Sequence, residues 1–209
     1  MNYDVIIVGA GPGGIYSAYE LMKKCSDKKI AVFDSGYSLK KRHCPIDGEK
    51  VKACIKCKSC SIMSGFGGAG AFSDGKYNIT NDFGGTLYEY IGKKAATELM
   101  QYVDDINMAH GGEGTKMYST AGTNLKKVCL QNRLKLLNAS VRHLGTDINL
   151  VVLGQLYDEL KEHVDFYFES PVSHIECLEN GGYRVWSNDK SYDCEKCIVS
   201  VGRSGSKWM

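Results

Sequence analysis

The pattern of apolar and polar positions predicts an α/β chain that opens with a strand, a turn and a helix. Residues 5–8 are a continuous β-branched run of the kind that forms a buried strand. Residues 13–24 carry apolar side chains three and four positions apart, which predicts a helix. A second apolar run follows at residues 30–33. Together these segments predict a β-α-β unit.

The middle of the chain predicts helices. Apolar residues recur every four positions between about residues 86 and 107, which predicts an amphipathic helix there: Leu87, Ile91, Ala95, Leu99 and Val103. Further helices are predicted over about 124–137 and 146–163, whereas residues 35–60 lack periodicity and predict a long loop.

The last part of the chain predicts strands. Candidates lie at residues 164–169, 172–178 and 183–187, and the last two are joined across a good hairpin turn at Asn180-Gly181-Gly182. Residues 191–194 predict a third strand of a β-meander. Residues 197–202 predict a buried strand that ends at Gly202.

Composition narrows the class of protein. With 43% hydrophobic and 24% charged residues, the 209-residue chain has the composition of an ordinary globular protein. A net charge of +2 gives no electrostatic case for nucleic acid or an anionic membrane. The apolar runs are too short for a membrane span, and no signal-peptide pattern is visible. We therefore expect a cytoplasmic protein.

The turn after the first strand has the spacing of a dinucleotide-binding motif. Gly9 permits a tight turn, Gly11 allows backbone to approach a pyrophosphate, and Gly14 allows the helix to pack on the strand. Asp34, at the end of the second strand, can accept hydrogen bonds from an adenosine ribose and would repel a 2′-phosphate. The alternative is a glycine turn of some other α/β protein.

Nine cysteines is a high count, and four of them lie in the long loop: Cys44, Cys54, Cys57 and Cys60. Four thiolates suit a [4Fe–4S] cluster or a tetrahedral zinc ion. A disulfide-closed loop and free thiols remain alternatives.

The order of elements resembles the FAD-binding domain of glutathione-reductase-type flavoproteins. A closer resemblance is to the uncharacterised FAD-dependent dehydrogenases within that group. It rests on Cys44-Pro45, Cys54-x-x-Cys57-x-x-Cys60, the glycine-rich segment 65–76, His143-Leu144-Gly145-Thr146-Asp147 and Gly202-Arg203-Ser204-Gly205. Members of that family are about twice as long, so the chain resembles their N-terminal part.

The resemblance implies a Rossmann-like FAD/NAD(P)-binding fold with a parallel sheet, a β-meander and a helical insertion. Residues 1–80 would form the first part of the FAD-binding domain with the cysteine loop. Residues 81–145 would form a mainly helical insertion, and residues 146–209 would return to the FAD-binding domain.

The residues expected to contact FAD follow from the motif and the resemblance together. They are Gly9, Gly11, Pro12, Gly13, Gly14, Asp34, Ser35, Arg42, Gly67, Gly68, Ala69, Val172, Gly202 and Arg203. Arg42 could instead belong to a solvated basic face, and the second glycine segment could be a flexible loop. No catalytic residue stands out.

The expected function is that of an FAD-dependent oxidoreductase. It would act on a small-molecule substrate or with an electron-transfer partner. The alternative is a non-catalytic nucleotide-binding module that senses metal or redox state.

Overall fold

The computed structural model describes residues 2–179, 181–205 and 208, and it divides into two compact units. Unit 1 comprises Met1–Ala71 and Leu153–Met209, and unit 2 comprises Phe72–Val152. Asn180 of the predicted hairpin turn lies outside the described residues.

The strands, in chain order, are β1 (Asn2–Val8), β2 (Ile30–Phe33), β3 (Lys76–Ile79), β4 (Met117–Ser119), β5 (Ser140–His143), β6 (Val164–Tyr167), β7 (Val172–Cys177), β8 (Tyr183–Ser187) and β9 (Lys190–Val199). The α-helices are α1 (Pro12–Lys24), α2 (Leu87–Ile91), α3 (Lys93–Asn107), α4 (Leu125–Gln131) and α5 (Gly145–Leu160).

Unit 1 is built on a six-stranded sheet in the order β6-β2-β1-β9-β8-β7. β6, β2, β1 and β9 are parallel, and β7, β8 and the first half of β9 form an antiparallel meander. The sheet with its meander confirms the predicted Rossmann-like α/β fold. β1 lies at the centre, with Val8 opposite Phe33 on one side and Val199 on the other.

A single continuous strand, β9, replaces two strands that the sequence predicted separately. β9 runs without a break over Lys190–Val199, whereas the sequence predicted one strand over 191–194 and another over 197–202. Its residues 190–194 pair with β8, and its residues 193–199 pair with β1. The polar residues Glu195 and Lys196, which lie between the two predicted strands, are exposed along this continuous strand.

The core of unit 1 lies on both faces of the sheet. Ile6, Ile7, Val32 and Phe33 are at most 1% exposed, as expected for parallel strands covered on both sides. On α5, the apolar side chains of Leu153, Leu156 and Leu160 are buried. Burial of each such side chain stabilises the folded state by about 1.5–3 kcal/mol.

Unit 2 contains a three-stranded antiparallel sheet that the sequence did not predict, in the order β3-β5-β4. Arg142 on β5 ties this sheet to α3. Its Nε and Nη2 atoms donate to the two carboxylate oxygens of Asp104 at 2.9 and 2.7 Å, and its Nη1 donates to the Thr115 carbonyl at 2.6 Å. Asp104 is 1% exposed and Arg142 is half-buried, so the acidic partner of this ion pair is shielded from water.

The prediction for residues 86–107 is wrong about which face of the helix is buried. Gly92, at φ +81°, separates α2 from α3 and resets the helical register. Leu87, Ile91 and Leu99 of the predicted stripe are exposed, whereas Ala96 and Ile106 are buried. The helix predicted over 124–137 also ends early, at Gln131.

Within the residues described, no helix is both long and apolar enough to span a bilayer.

Candidate nucleotide-binding site

The carboxyl ends of three neighbouring parallel strands meet at one edge of the unit 1 sheet. β1 leads into the turn at residues 9–14, β2 ends before Asp34, and β9 ends before Ser200. Because β1 lies between β2 and β9, Asp34 and the segment after β9 flank the glycine turn. Ligands of open α/β sheets bind at this edge.

The glycines of the turn have different physical roles. Gly9 has φ +106°, and a Cβ there would collide with the Ser200 carbonyl oxygen. A Cβ on Gly14 would collide with the Gly9 carbonyl oxygen, so Gly14 lets α1 pack against the turn. At Gly11, by contrast, a Cβ would meet only the Cα of Gly68, at 3.9 Å. The space beside Gly11 is therefore open.

The N-terminus of α1 faces this space with its positive end uncapped. Gly11 is the N-cap residue, no side chain caps the helix, and no acidic residue lies in its first turn. Gly11, Pro12 and Gly13 all line the cavity described below. A helix end of this kind favours bound phosphate through its N–H groups and its dipole.

Asp34 is held in place by two backbone N–H groups. Its Oδ2 accepts from Ala10 N at 2.7 Å, and its Oδ1 accepts from Gly36 N at 2.7 Å. A carboxylate can accept about four hydrogen bonds, so both oxygens keep lone pairs for a ligand. Asp34 lines the cavity, together with Ser35.

The second glycine segment, residues 65–70, faces the first. Gly67 N donates to the Ala10 carbonyl at 2.8 Å, and a Cβ on Gly68 would lie 3.1 Å from Gly11 Cα. The segment repeats the glycine spacing of the first turn, but it opens only a short 3₁₀ helix at Gly68–Phe72. Phe66 anchors it in the core at 0% exposure.

The two glycine segments border a cavity of about 870 Å³ within unit 1. This volume lies in the range of small-molecule and cofactor sites. The expected contact residues that line it are Gly9, Gly11, Pro12, Gly13, Asp34, Ser35, Gly68, Ala69, Val172, Gly202 and Arg203. The structure thus brings together residues that lie up to 194 positions apart in the sequence.

Three of the expected residues do not line the cavity: Gly14, Gly67 and Arg42. Arg42 is only 5% exposed, and its guanidinium donates to three backbone carbonyls, those of Ser61, Phe66 and Ile62, at 2.8, 2.6 and 2.8 Å. Burial lowers the pKa of this guanidinium. Its place is inside the loop that precedes the second glycine segment, not on a solvated face.

The cavity also has lining residues that the sequence reasoning missed: Phe33, Met63, Ser64, Ser170, Pro171, Ser200 and Trp208. Two of them directly precede an expected contact in the sequence: Phe33 precedes Asp34, and Pro171 precedes Val172. Asp34 and Arg203 are the two charged residues among the described side chains of the wall.

The four cysteines of the long loop do not form a metal site. Cys44 is half-buried, and Cys54, Cys57 and Cys60 are exposed, all as free thiols. Across the residues that the structure describes, no three His, Cys, Asp or Glu side chains are placed to hold a metal ion. The arrangement of the described residues therefore gives no support to the predicted iron–sulfur or zinc site.

Comparisons with known proteins point to one fold. No family model and no curated protein matches the chain. Among solved structures, glycine oxidase from Geobacillus kaustophilus matches with a TM-score of 0.54 at 15% identity, over 99% of this chain and 57% of its own. NikD, an amino acid oxidase of nikkomycin biosynthesis, matches with a TM-score of 0.52 at 9% identity, over 100% of this chain and 53% of its own.

A third match is the L-α-glycerophosphate oxidase of Mycoplasma pneumoniae, solved with FAD bound. Its TM-score is 0.50 at 15% identity, over 99% of this chain and 56% of its own. At these identities the likeness establishes the fold. The chain spans about half the length of these three structures.

Proposed function

We propose that unit 1 binds FAD and that the chain belongs to an FAD-dependent oxidoreductase. The observation that carries this proposal is the cavity at the carboxyl ends of β2, β1 and β9, bordered by two facing glycine segments and by Asp34. The fold shared with oxidases, one of them solved with FAD bound, supports it.

Each part of the cavity wall suits a different part of the dinucleotide. The Asp34 carboxylate would accept hydrogen bonds from the adenosine ribose, and the backbone around Val172 would lie against adenine. The open space at Gly11 and the uncapped end of α1 would hold the pyrophosphate. Gly202 and Arg203 would face the rest of the cofactor.

FAD, when bound, supplies the capacity to accept an electron pair. The residues of this chain bind and orient it. The partner of the reaction is a small-molecule substrate or an electron-transfer protein. The cysteine loop, in the part of the chain that the structure describes, gives no support for a metal in this reaction. For the same reason, the alternative of a metal-sensing module draws no support from the loop.

Titration of the full chain with FAD, NAD⁺ and NADP⁺ tests this proposal. We expect FAD to bind most tightly and NADP⁺ most weakly, because Asp34 repels a 2′-phosphate. Asp34→Asn should reduce the difference in affinity between NAD⁺ and NADP⁺. The control Asp27→Asn, on an exposed turn, should leave this difference unchanged. Absence of FAD binding by the wild-type chain, or equal affinity for NADP⁺ and NAD⁺, would contradict the proposal.

A further inference from the structure

Residues 43–60 form an excursion of the chain whose ends are held together beside the cavity wall. Arg42 precedes this segment and Ser61 follows it, and Arg42 Nε donates to the Ser61 carbonyl at 2.8 Å. Met63 and Ser64, immediately beyond this closure, line the cavity. The loop therefore leaves and rejoins the fold next to the proposed cofactor site. We refer to residues 43–60 as the basic loop.

The basic loop concentrates positive charge that the rest of the chain does not neutralise. Four of its lysines are exposed and form no ion pair with any described residue: Lys50, Lys52, Lys56 and Lys58. The Oδ1 atom of Asp47 accepts the backbone N–H groups of Glu49, Lys50 and Val51. With Asp47 and Glu49 included, the basic loop has a net charge of +2, which equals the net charge of the whole chain, so the remainder of the chain is neutral.

An apolar side chain lies among these lysines in the sequence. Ile55 is 59% exposed, between Lys52 and Lys56. A single exposed isoleucine is common on protein surfaces. An isoleucine surrounded by uncompensated cations has the composition of a small interface, in which an apolar centre is ringed by polar groups.

We propose that the basic loop docks an acidic electron-carrier protein beside the cavity. This proposal rests on the proposed function, because an oxidoreductase must exchange electrons with a second reactant. Unpaired lysines attract an acidic surface over a distance and speed its association. The small area offered suits the weak, transient contacts of redox proteins.

A nucleic acid fits the loop less well. Affinity for a duplex depends on many phosphate contacts along a broad basic face. Here the net positive charge is that of one loop, and the remainder of the chain, which is neutral overall, does not extend it into a broad basic face.

The test measures binding of an acidic two-iron two-sulfur ferredoxin to the full chain, with and without added FAD. The triple variant Lys52→Glu/Lys56→Glu/Lys58→Glu should lose about threefold in affinity per lysine, roughly 30-fold in total. The matched control is Lys126→Glu/Lys127→Glu/Lys135→Glu, three exposed lysines of unit 2 with the same change in charge. We expect the control to retain nearly the wild-type affinity.

Several results would overturn the docking proposal. Equal weakening by the loop variant and the control would show a general attraction of opposite charges. Loop-dependent binding to anionic vesicles or duplex DNA, without binding to ferredoxin, would assign the loop to another class of partner. FAD titration in parallel separates the two proposals. Binding of FAD without ferredoxin overturns docking alone, and binding of ferredoxin without FAD overturns the FAD site.

Discussion

Gly11→Ala separates cofactor binding from folding more cleanly than any other single change in the turn. Gly11 has φ −75°, which any residue adopts, and the added methyl group would meet no atom nearer than the Gly68 Cα at 3.9 Å. The remaining cost is that alanine is a poorer N-cap than glycine, by about 0.5–1 kcal/mol. For a chain of this size we expect Tm to fall by no more than about 4 °C.

FAD binding should respond much more strongly. The methyl group would occupy the space through which the pyrophosphate approaches the uncapped end of α1. Loss of one hydrogen bond to a charged group costs about 1.5–3 kcal/mol, which corresponds to a roughly 10- to 100-fold weaker Kd. Quenching of flavin fluorescence measures the affinity, and circular dichroism measures Tm.

The control for this experiment is Gly154→Ala on α5, where a Cβ meets nothing within 4 Å. Gly154 is not among the lining residues of the cavity, so this variant should keep the wild-type affinity for FAD. A Gly11→Ala protein that binds FAD as tightly as the wild type would refute the placement of the pyrophosphate. A Gly11→Ala protein that fails to fold would refute the account of free space beside Gly11.

Three further changes test the packing. Gly14→Ala should destabilise the protein by about 1–3 kcal/mol in urea unfolding, because its Cβ collides with the Gly9 carbonyl; wild-type stability would contradict that contact. Arg42→Met should lower the free energy of unfolding by roughly 3–5 kcal/mol, because three backbone carbonyls lose their hydrogen-bond donor. Arg42→Lys should restore only part of this stability, because an ammonium group cannot reproduce the geometry of the guanidinium. Asp104→Ala should lower the free energy of unfolding by about 3–5 kcal/mol, because it removes the buried carboxylate that pairs with the half-buried Arg142; a loss under about 1 kcal/mol would show that the pair is dispensable.

The sequence predicted best where the signal is local. The β1–turn–α1–β2 unit could be predicted because a β-branched run, glycines at fixed spacing and a 3–4 apolar period occur within residues 2–34. The cavity wall could be predicted in outline for the same reason, since most of its residues belong to such motifs. Pro171 and Ser200 were missed because they carry no pattern of their own.

The errors arose where tertiary contacts override local pattern. The stripe from Leu87 to Leu99 has helical spacing, but Gly92 breaks the helix, and a different face is buried. Arg42 looks like a surface residue in the run Lys40-Lys41-Arg42, yet the carbonyls that bury it come from residues 61–66. The cysteine spacing predicted a metal site, and the arrangement of the described residues does not support it.

The central position of β1 has a consequence for synthesis of the chain. Ile6 pairs with Ala31 on one side and with Cys197 on the other. One edge of β1 therefore stays unpaired until β9 has been synthesised. At about 5–20 residues per second, the interval between synthesis of β1 and of β9 is on the order of 10–40 s on the ribosome. During it, the apolar edge of β1 is open to pairing with other chains. We therefore expect expression yield to depend on chaperones or low temperature, which slow or prevent that aggregation.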